Sequence, residues 1–440
     1  MKNIFNPKSV ALIGASEEKN TVGLGISKNL LEGSQERKVF FVNPNRDIVL
    51  GLNCFSKITD IQDKIDLAVI AIPAKFVKEA VLSCVEKKVK GIIIISGGFK
   101  EEGNEKEEEE IREIVRKNKI PLIGPNCLGI INPCANLNAS FAPITPKKGS
   151  IAFLSQSGAL IDSVIDMAEN IGFSKIVSYG NESDLELVDF LNYFKDDKET
   201  KVISIYVEGL KDGRKFMEVA KGISKPIVLI KAGRSDKGIR AAESHTGSLA
   251  GDYSVYKSAM KQSGVILVET IEELLDTSKA LAWQPRCEDG IGIVTNGGGL
   301  GVLTADYCFQ LGIDLPELEK GTVSFLDKKL KKVVNKSNPL DVIGDAMPER
   351  YEAAIEAMLL QKNIKGLIII STPQIMTDHD KNAKIIVRLK KKYPTKPIMC
   401  CFVGGKLVSS AVKHLEENNI PNYFEPMRAV KSIKSLMKHG

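Results

Sequence analysis

One short segment of the chain combines residue types suited to nucleophilic or acid–base chemistry. It reads ESHTGSLAG at residues 243–251 and places His245 among small polar residues and glycines. Imidazole near neutral pH is a competent nucleophile and general base. A lone histidine is more often a structural residue, but small neighbours and flanking glycines pack poorly in a core and favour access. We therefore predict that His245 is catalytic.

A carboxylate follows one of the predicted strands. Glu208 comes directly after the apolar run ISIYV at residues 203–207. In an α/β sheet the carboxyl ends of the strands are where binding and catalytic sites form. A carboxylate there can hold one ring nitrogen of a histidine and leave the other nitrogen to react. Glu208 is therefore a candidate partner of His245, and the alternative is an ordinary glutamate at a strand end.

Two turns of small residues each link a predicted strand to a predicted helix. They read SQSG at residues 155–158 and TNGGG at residues 295–299. Free N–H groups and the positive end of a helix dipole converge at such a turn, which favours a bound phosphate. The alternative is close packing of a helix on a sheet, which also favours glycine. The predicted phosphate-binding residues are Ser155, Gln156, Ser157, Gly158, Gly297, Gly298 and Gly299.

The first predicted strand also ends in a glycine turn, VALIGAS at residues 10–16. Its spacing is not GxGxxG, and the second strand ends in VNPN at residues 42–45, with no acidic residue for a ribose hydroxyl. The pattern disfavours NAD and favours a nucleotide-like ligand with extra phosphate, unless the turn is only a tight strand–helix connection. A further turn, GPNCLG at residues 124–129, favours a polar lining over catalysis by Cys127.

These turns belong to a chain in which strand-like and helical segments alternate. The alternation predicts an α/β fold of βαβ units with buried parallel sheets. The run EEEE at residues 107–110 is typical of a solvated helix face. Residues 151–173 resemble residues 291–313, and later matches follow in the same order, which predicts two homologous domains at 145–285 and 288–440. The His245 loop is missing from the second copy, which favours chemistry over scaffold.

The composition disfavours several other classes of protein. The net charge is only +6 and aromatic residues make up 6%, too little for a dedicated nucleic-acid surface. The longest apolar runs have the length of strands, below the roughly 20 residues that span a bilayer. Neither the eight cysteines nor the four histidines have metal-ligand spacing. We expect reduced thiols, no metal site, no signal peptide and a cytoplasmic location.

Taken together, these motifs resemble the nucleoside-diphosphate-forming acyl-CoA synthetases, relatives of succinyl-CoA synthetase, and most closely the α subunit of ADP-forming acetyl-CoA synthetases. The matching segments are SVALIGAS, FVNPN, AIPAKFV, SGGF, GPNCLGI, SQSGAL, YVEG, ESHTGSLAG and TNGGGLG. The resemblance implies a CoA-binding Rossmann-like domain at residues 1–130, followed by two homologous flavodoxin-like ligase domains. The CoA contacts that it implies are Gly14, Ala15, Ser16, Val42, Asn43, Pro44, Ile72, Pro73, Ala74, Gly97, Gly98 and Asn126.

The resemblance also implies a reaction, in which acyl-CoA, ADP and phosphate are interconverted with acid, CoA and ATP. It implies an acyl phosphate and then a phosphohistidine as intermediates. His245 matches the phosphorylated histidine of the family, and Glu208 falls at its stabilising glutamate. The two small-residue turns match the helices whose N-termini flank the phosphate.

The family further needs an ATP-grasp module that binds ADP or ATP with Mg²⁺, and no segment of the chain matches one. We expect a separate β subunit, in an α2β2 assembly, or a longer fused chain. A non-catalytic acyl-CoA sensor is the alternative, and the intact His245 loop argues against it. An NAD-linked oxidoreductase is disfavoured by Asn43 at the end of the second strand. The acyl group stays open, with acetyl as the default.

Overall fold

A computed structural model describes residues 1–246 and 253–437, the side chains of residues 242–246 excepted. The chain divides into two compact units, Met1–Ile271 and Glu272–Gly440. The described strands assemble into three sheets, two in the first unit and one in the second. The predicted α/β class is confirmed, since helices alternate with parallel strands through most of the chain.

The first sheet contains seven strands: β1 (Ser9–Ile13), β2 (Lys38–Val42), β3 (Ile48–Val49), β4 (Leu52–Phe55), β5 (Leu67–Ile70), β6 (Ile92–Ile94) and β7 (Leu122–Ile123). Their order is β3-β4-β2-β1-β5-β6-β7, and only the β3–β4 pair is antiparallel. The helices of this part are α1 (Lys2–Phe5), α2 (Val22–Glu32), α3 (Val77–Glu86) and α4 (Glu105–Lys117). Every residue of β1 is buried, as expected of a central parallel strand.

The second sheet contains β8 (Gly129–Asn132), β9 (Leu137–Ser140), β10 (Lys148–Ser155), β11 (Phe173–Ser178), β12 (Val202–Val207), β13 (Ile227–Lys231) and β14 (Ile266–Val268). Their order is β14-β13-β12-β10-β11-β8-β9, in which the antiparallel β8–β9 hairpin extends a parallel core. The helices are α5 (Gly158–Met167), α6 (Leu187–Asp196), α7 (Gly213–Lys221), α8 (Asp236–Thr246) and α9 (Tyr253–Gln262).

One place where the two sheets of the first unit meet is the segment that follows β11. The backbone N–H groups of Asn181 and Ser183 donate to the carbonyl oxygens of Pro125 and Gly124. A side chain at Gly180 would lie 2.2 Å from the Pro125 oxygen, so this contact requires glycine. These bonds bring the carboxyl end of β7 next to the carboxyl end of β11, which no local sequence pattern predicted.

The second unit contains one sheet of β15 (Ile291–Thr295), β16 (Leu340–Asp341), β17 (Gly366–Ser371) and β18 (Ile398–Phe402). Its helices are α10 (Ile271–Trp283), α11 (Gly298–Gln310), α12 (Lys320–Lys329), α13 (Pro348–Leu360), α14 (His379–Lys392), α15 (Ser409–Glu417) and α16 (Pro426–Met437). The strand order β16-β15-β17-β18 repeats the order β11-β10-β12-β13 of the second sheet. The predicted duplication is therefore visible in the topology. None of the described helices has the length and apolar character needed to cross a bilayer.

Candidate functional site

The two small-residue turns use the same local device. At the end of β10 the Ser155 hydroxyl accepts from the Ser157 N–H (3.1 Å) and donates to the Ser157 carbonyl (2.8 Å). At the end of β15 the Thr295 hydroxyl makes the same two bonds to Gly297, both at 3.0 Å. In both copies the helix begins three residues after the hydroxyl residue that ends the strand. The N-termini of α5 and α11 therefore lie at the carboxyl ends of β10 and β15.

Each turn presents the first N–H groups of its helix. Ser157 is the N-cap of α5, and its hydroxyl accepts from the Leu160 N–H at 3.3 Å. The first N–H groups of a helix have no partner within the helix and carry its positive dipole end. At α11 the N-cap is Gly297 and has no hydroxyl. A Cβ at Gly299 would meet nothing within 4 Å, whereas one at Gly298 would lie 2.8 Å from the Asp341 carboxylate.

The residue after each hydroxyl reaches across to the end of the neighbouring strand. The Gln156 side-chain oxygen accepts from the backbone N–H groups of Glu208 and of Gly209, the latter at 3.1 Å. In the second copy the Asn296 side-chain oxygen accepts from the Thr372 N–H at 2.8 Å. Thr372 therefore stands where the first copy carries Glu208, and the second copy lacks the carboxylate.

Glu208 follows β12 directly and is buried, with 6% of its surface exposed. The Tyr206 hydroxyl lies 3.4 Å from one of its carboxylate oxygens. Burial, with the nearby Glu208 charge, raises the pKa of Tyr206 to about 12, so the phenol stays a hydrogen-bond donor at neutral pH. On the adjacent strand end, Lys231 is also buried and donates to the Glu208 carbonyl at 2.7 Å. Its burial lowers the pKa of Lys231.

Two residues that the sequence analysis did not single out complete this strand edge. Asn181 follows β11 and donates its side-chain amide to the carboxylates of Glu101 (2.6 Å) and Glu108 (2.9 Å). Glu182, next along the chain, is buried and lies 3.5 Å from the Gln156 amide nitrogen. Burial of Glu108 corrects the expectation that residues 107–110 form a solvated face, because Asn181 gives it a partner inside. The local sequence signal for Asn181 and Glu182 was the polar run NESD at residues 181–184, shortly after a strand.

The residues predicted to contact CoA line the carboxyl edge of the first sheet. Gly14, Ala15 and Ser16 follow β1, and Asn43 follows β2 and donates to the Ala15 carbonyl at 2.8 Å. Ile72, Pro73 and Ala74 follow β5, Gly97 and Gly98 follow β6, and Asn126 follows β7; Val42 ends β2 and Pro44 lies just beyond it. One edge therefore gathers all twelve residues.

The glycine at the first turn has a structural role as well. Gly14 has a φ of +100°, and a Cβ there would lie 2.2 Å from the Ala71 carbonyl oxygen. A Gly14→Val substitution, intended to block a ligand at this turn, would therefore also strain the fold. Ser96 is a further polar group at this edge, since its hydroxyl accepts from the Ile72 N–H at 3.1 Å.

His245 falls on helix α8, but its side chain lies outside the described residues. Helix α8 packs against the turn at Lys100–Glu102, which follows β6. The backbone of α8 is thus near the edge that carries Gly97 and Gly98. Gly297, Gly298 and Gly299 belong to the second compact unit. Among the described residues, no three His, Cys, Asp or Glu side chains are grouped as a metal site would require.

Comparison with known families and proteins assigns all three parts of the chain. Residues 8–133 match a CoA binding domain, residues 148–281 a succinyl-CoA ligase like flavodoxin domain, and residues 291–434 a Ligase-CoA domain. An acetate–CoA ligase [ADP-forming] of Methanocaldococcus jannaschii is 45% identical over all of this chain, which spans 63% of that relative's length.

Two other relatives match over nearly their whole length. The acetate–CoA ligase [ADP-forming] II subunit alpha of Pyrococcus furiosus is 42% identical, with 99% of this chain and 97% of the relative aligned. The structure of Ca. Korarchaeum cryptofilum dinucleotide forming acetyl-coenzyme A synthetase 1, in complex with phosphate and ADP, superimposes with a TM-score of 0.95 at 38% identity. The superposition covers 100% of this chain and 96% of the Korarchaeum chain. The chain therefore belongs to the ADP-forming acetate–CoA ligase family, the ADP-forming acetyl-CoA synthetases.

Proposed function

We propose that this chain carries the acyl-CoA and phosphohistidine steps of an ADP-forming acyl-CoA synthetase. The observation that supports this most is the asymmetry between the two copies. The first copy holds Glu208 next to the N-terminus of α5, whereas the second copy has Thr372 at the corresponding place. The same first copy carries the His245 loop. Scaffold is shared between copies, so the unshared carboxylate and histidine are the groups expected to do chemistry.

The chemistry runs in three balanced steps. Phosphate attacks the thioester carbonyl, and the CoA thiolate leaves as the acyl phosphate forms. An imidazole nitrogen of His245 then attacks phosphorus, and the carboxylate of the acid leaves. The phosphoryl group finally passes from histidine to the terminal phosphate of ADP, and the imidazole is neutral again.

The strand edges supply what these steps need. The N–H groups at the start of α5 suit a phosphate, because they donate hydrogen bonds and carry the positive end of the helix dipole. Glu208 suits the stabilising role, since a carboxylate that accepts from the imidazole N–H favours the positive charge that develops on the ring. The first sheet's edge suits CoA, since ligands of parallel α/β sheets bind at the carboxyl ends of the strands, where the predicted contact residues gather.

We propose that nucleotide binding comes from a further module. The M. jannaschii relative is longer than this chain, and the P. furiosus relative is named a subunit alpha. An ATP-grasp module, as a β subunit in an α2β2 assembly or as a fused part, would bind ADP or ATP and Mg²⁺. Mg²⁺ there would neutralise nucleotide phosphate charge. Acetyl is the proposed acyl group, by likeness to these acetate–CoA ligases.

Labelling tests the proposal directly. Incubation of the chain with acetyl-CoA and radiolabelled phosphate should give protein-bound label that survives alkali and is lost in acid, as expected of a phosphoramidate. His245→Ala should abolish the label, and His414→Ala, a change on helix α15 of the second unit, should keep it. Without the ATP-grasp module no ATP should form from ADP. Equal labelling of His245→Ala and wild type, or ATP synthesis by this chain alone, would contradict the proposal.

A further inference from the structure

We propose that Glu182 is a positioning residue, which holds the Gln156 side-chain amide in the orientation that fixes the Glu208 segment. The inference rests on the proposed function and adds a residue to the proposed site that neither motif nor resemblance singled out. The three residues follow β11, β10 and β12, three neighbouring strands of the second sheet. The chain of contacts therefore runs along a single sheet edge.

The first step is the orientation of the Gln156 amide. Its oxygen accepts from two backbone N–H groups, those of Glu208 and Gly209. An amide turned by 180° would point its NH₂ group at two donors and lose both bonds. The two donors thus decide which end of the amide is oxygen. The NH₂ group of Gln156 must then face the other way, where the Glu182 carboxylate lies at 3.5 Å.

The second step is the state of the Glu182 carboxyl group. One oxygen accepts from the Leu187 N–H at the start of α6, at 2.8 Å. The other oxygen faces the Gln156 NH₂ group. Both oxygens are therefore opposite N–H donors, and a proton on either oxygen would weaken its ability to accept. The arrangement favours the carboxylate over the neutral acid.

Burial, by contrast, favours the neutral acid form of Glu182. Glu182 is 5% exposed, and the loss of hydration raises its pKa to about 7. Four other titratable groups bear on it. Lys211, which donates to the Glu182 carbonyl, favours the charged form, while Glu186 at the start of α6 disfavours it. Burial and the charges of Glu182 and Glu208 together raise the pKa of Tyr179, which directly follows β11.

The second copy shows that a carboxylate is not needed merely to build this turn. There the Asn296 amide nitrogen donates to the Thr372 carbonyl (3.1 Å) and the Thr377 hydroxyl (2.9 Å). Neutral groups satisfy the equivalent amide completely. A charged, buried acceptor in the first copy is a costly substitute. It occurs in the copy that carries Glu208 and His245, which is why we assign it to function.

The assignment predicts opposite effects on stability and on activity. Because the folded-state pKa is raised, the neutral acid stabilises the fold at low pH, and this stability is lost as the pH rises through about 7. Glutamine does not ionise, so Glu182→Gln lacks that loss. The melting temperature of the variant minus that of wild type should therefore be larger at pH 8 than at pH 5. Label uptake from phosphate and acetyl-CoA should nevertheless fall about tenfold, the size of one lost hydrogen bond.

The pH profile and kinetics distinguish positioning from bulk structure. The ratio of the wild-type labelling rate to that of Glu182→Gln should rise with pH through about 7, because groups that titrate in both proteins cancel from the ratio. The KM for acetyl-CoA should stay unchanged, since the first sheet's edge is not altered. Glu182→Asp keeps a carboxylate at this position and should retain more of the labelling rate than Glu182→Gln does. Glu218→Gln, an exposed change on α7, is the charge control.

Two outcomes would overturn the assignment. One is labelling of Glu182→Gln at the wild-type rate. The other is an equal loss of labelling in Glu182→Asp and Glu182→Gln, with both variants melting lower than wild type at pH 8. Failure of wild type itself to take up label would refute the proposed function, so the two failures are distinguishable.

Discussion

A negative charge at the N-terminus of α11 gives the sharpest test of the proposed phosphate site in the second unit. Gly299 is the position to change, because a Cβ there meets nothing within 4 Å. Gly298 is a poorer choice, since its Cβ would lie 2.8 Å from the Asp341 carboxylate and mix steric strain with the charge effect. Gly299→Asp therefore tests electrostatics alone.

The expected size follows from Coulomb's law. A carboxylate about 6 Å from a phosphate oxyanion, at an effective dielectric constant of about 20, costs about 3 kcal/mol per pair of unit charges. That corresponds to about a hundredfold slower phosphorylation of His245. The same carboxylate lies in the first turn of α11 and should stabilise that helix by about 0.3–1 kcal/mol.

The assay is label uptake from acetyl-CoA and phosphate, measured beside thermal unfolding. Gly299→Asn is the matched control, because it has nearly the same shape without the charge. We expect Gly299→Asp to be slow and at least as stable as wild type, and Gly299→Asn to be close to wild type in rate. Equal rates for the two variants would show that α11 does not face the transferred phosphate, and that the second unit serves only as scaffold.

Two further predictions concern buried groups. Lys279 of α10 donates to Glu416 (2.9 Å) and to the Asn422 carbonyl (3.0 Å), and its pair with Glu416 is nearly buried on both sides. Lys279→Met should destabilise the second unit by about 3–5 kcal/mol in denaturant unfolding, and adding Glu416→Gln should recover part of the loss; a loss below 1 kcal/mol would contradict it. Burial raises the pKa of Cys127 and Cys401 to about 12, so iodoacetamide at pH 8 should modify them only after unfolding, and rapid modification of the native chain would refute this.

Much of the fold follows from local sequence. Short β-branched runs that alternate with amphipathic segments determine strand and helix, because side-chain period and turn residues act over a few positions. The duplication was also readable, since the turns at Ser155 and Thr295 use hydroxyls at the same place in each repeat. The candidate residues His245 and Glu208 came from residue type and from position after a strand.

Other features depend on which strands become neighbours. Glu108 and Glu182 are charged residues, which are usually exposed, yet both are buried. Asn181 contacts Glu108 and Gln156 contacts Glu182, each from another segment of the chain. Likewise Gly14 is needed for its close approach to Ala71, which the pattern after β1 does not reveal.

The sequence by itself therefore determined the order of strands and helices, the repeat and the residue types at each strand end. Only the tertiary structure decided that Glu182, Gln156 and Glu208 form one connected edge, although Glu182 lies 26 residues and Glu208 lies 52 residues from Gln156 in the sequence. The physical reason is that strand order sets these contacts: β10 lies between β11 and β12, so the residue after the central strand can bond to both neighbours. Hydrogen bonds across a sheet edge leave no periodic trace in the chain.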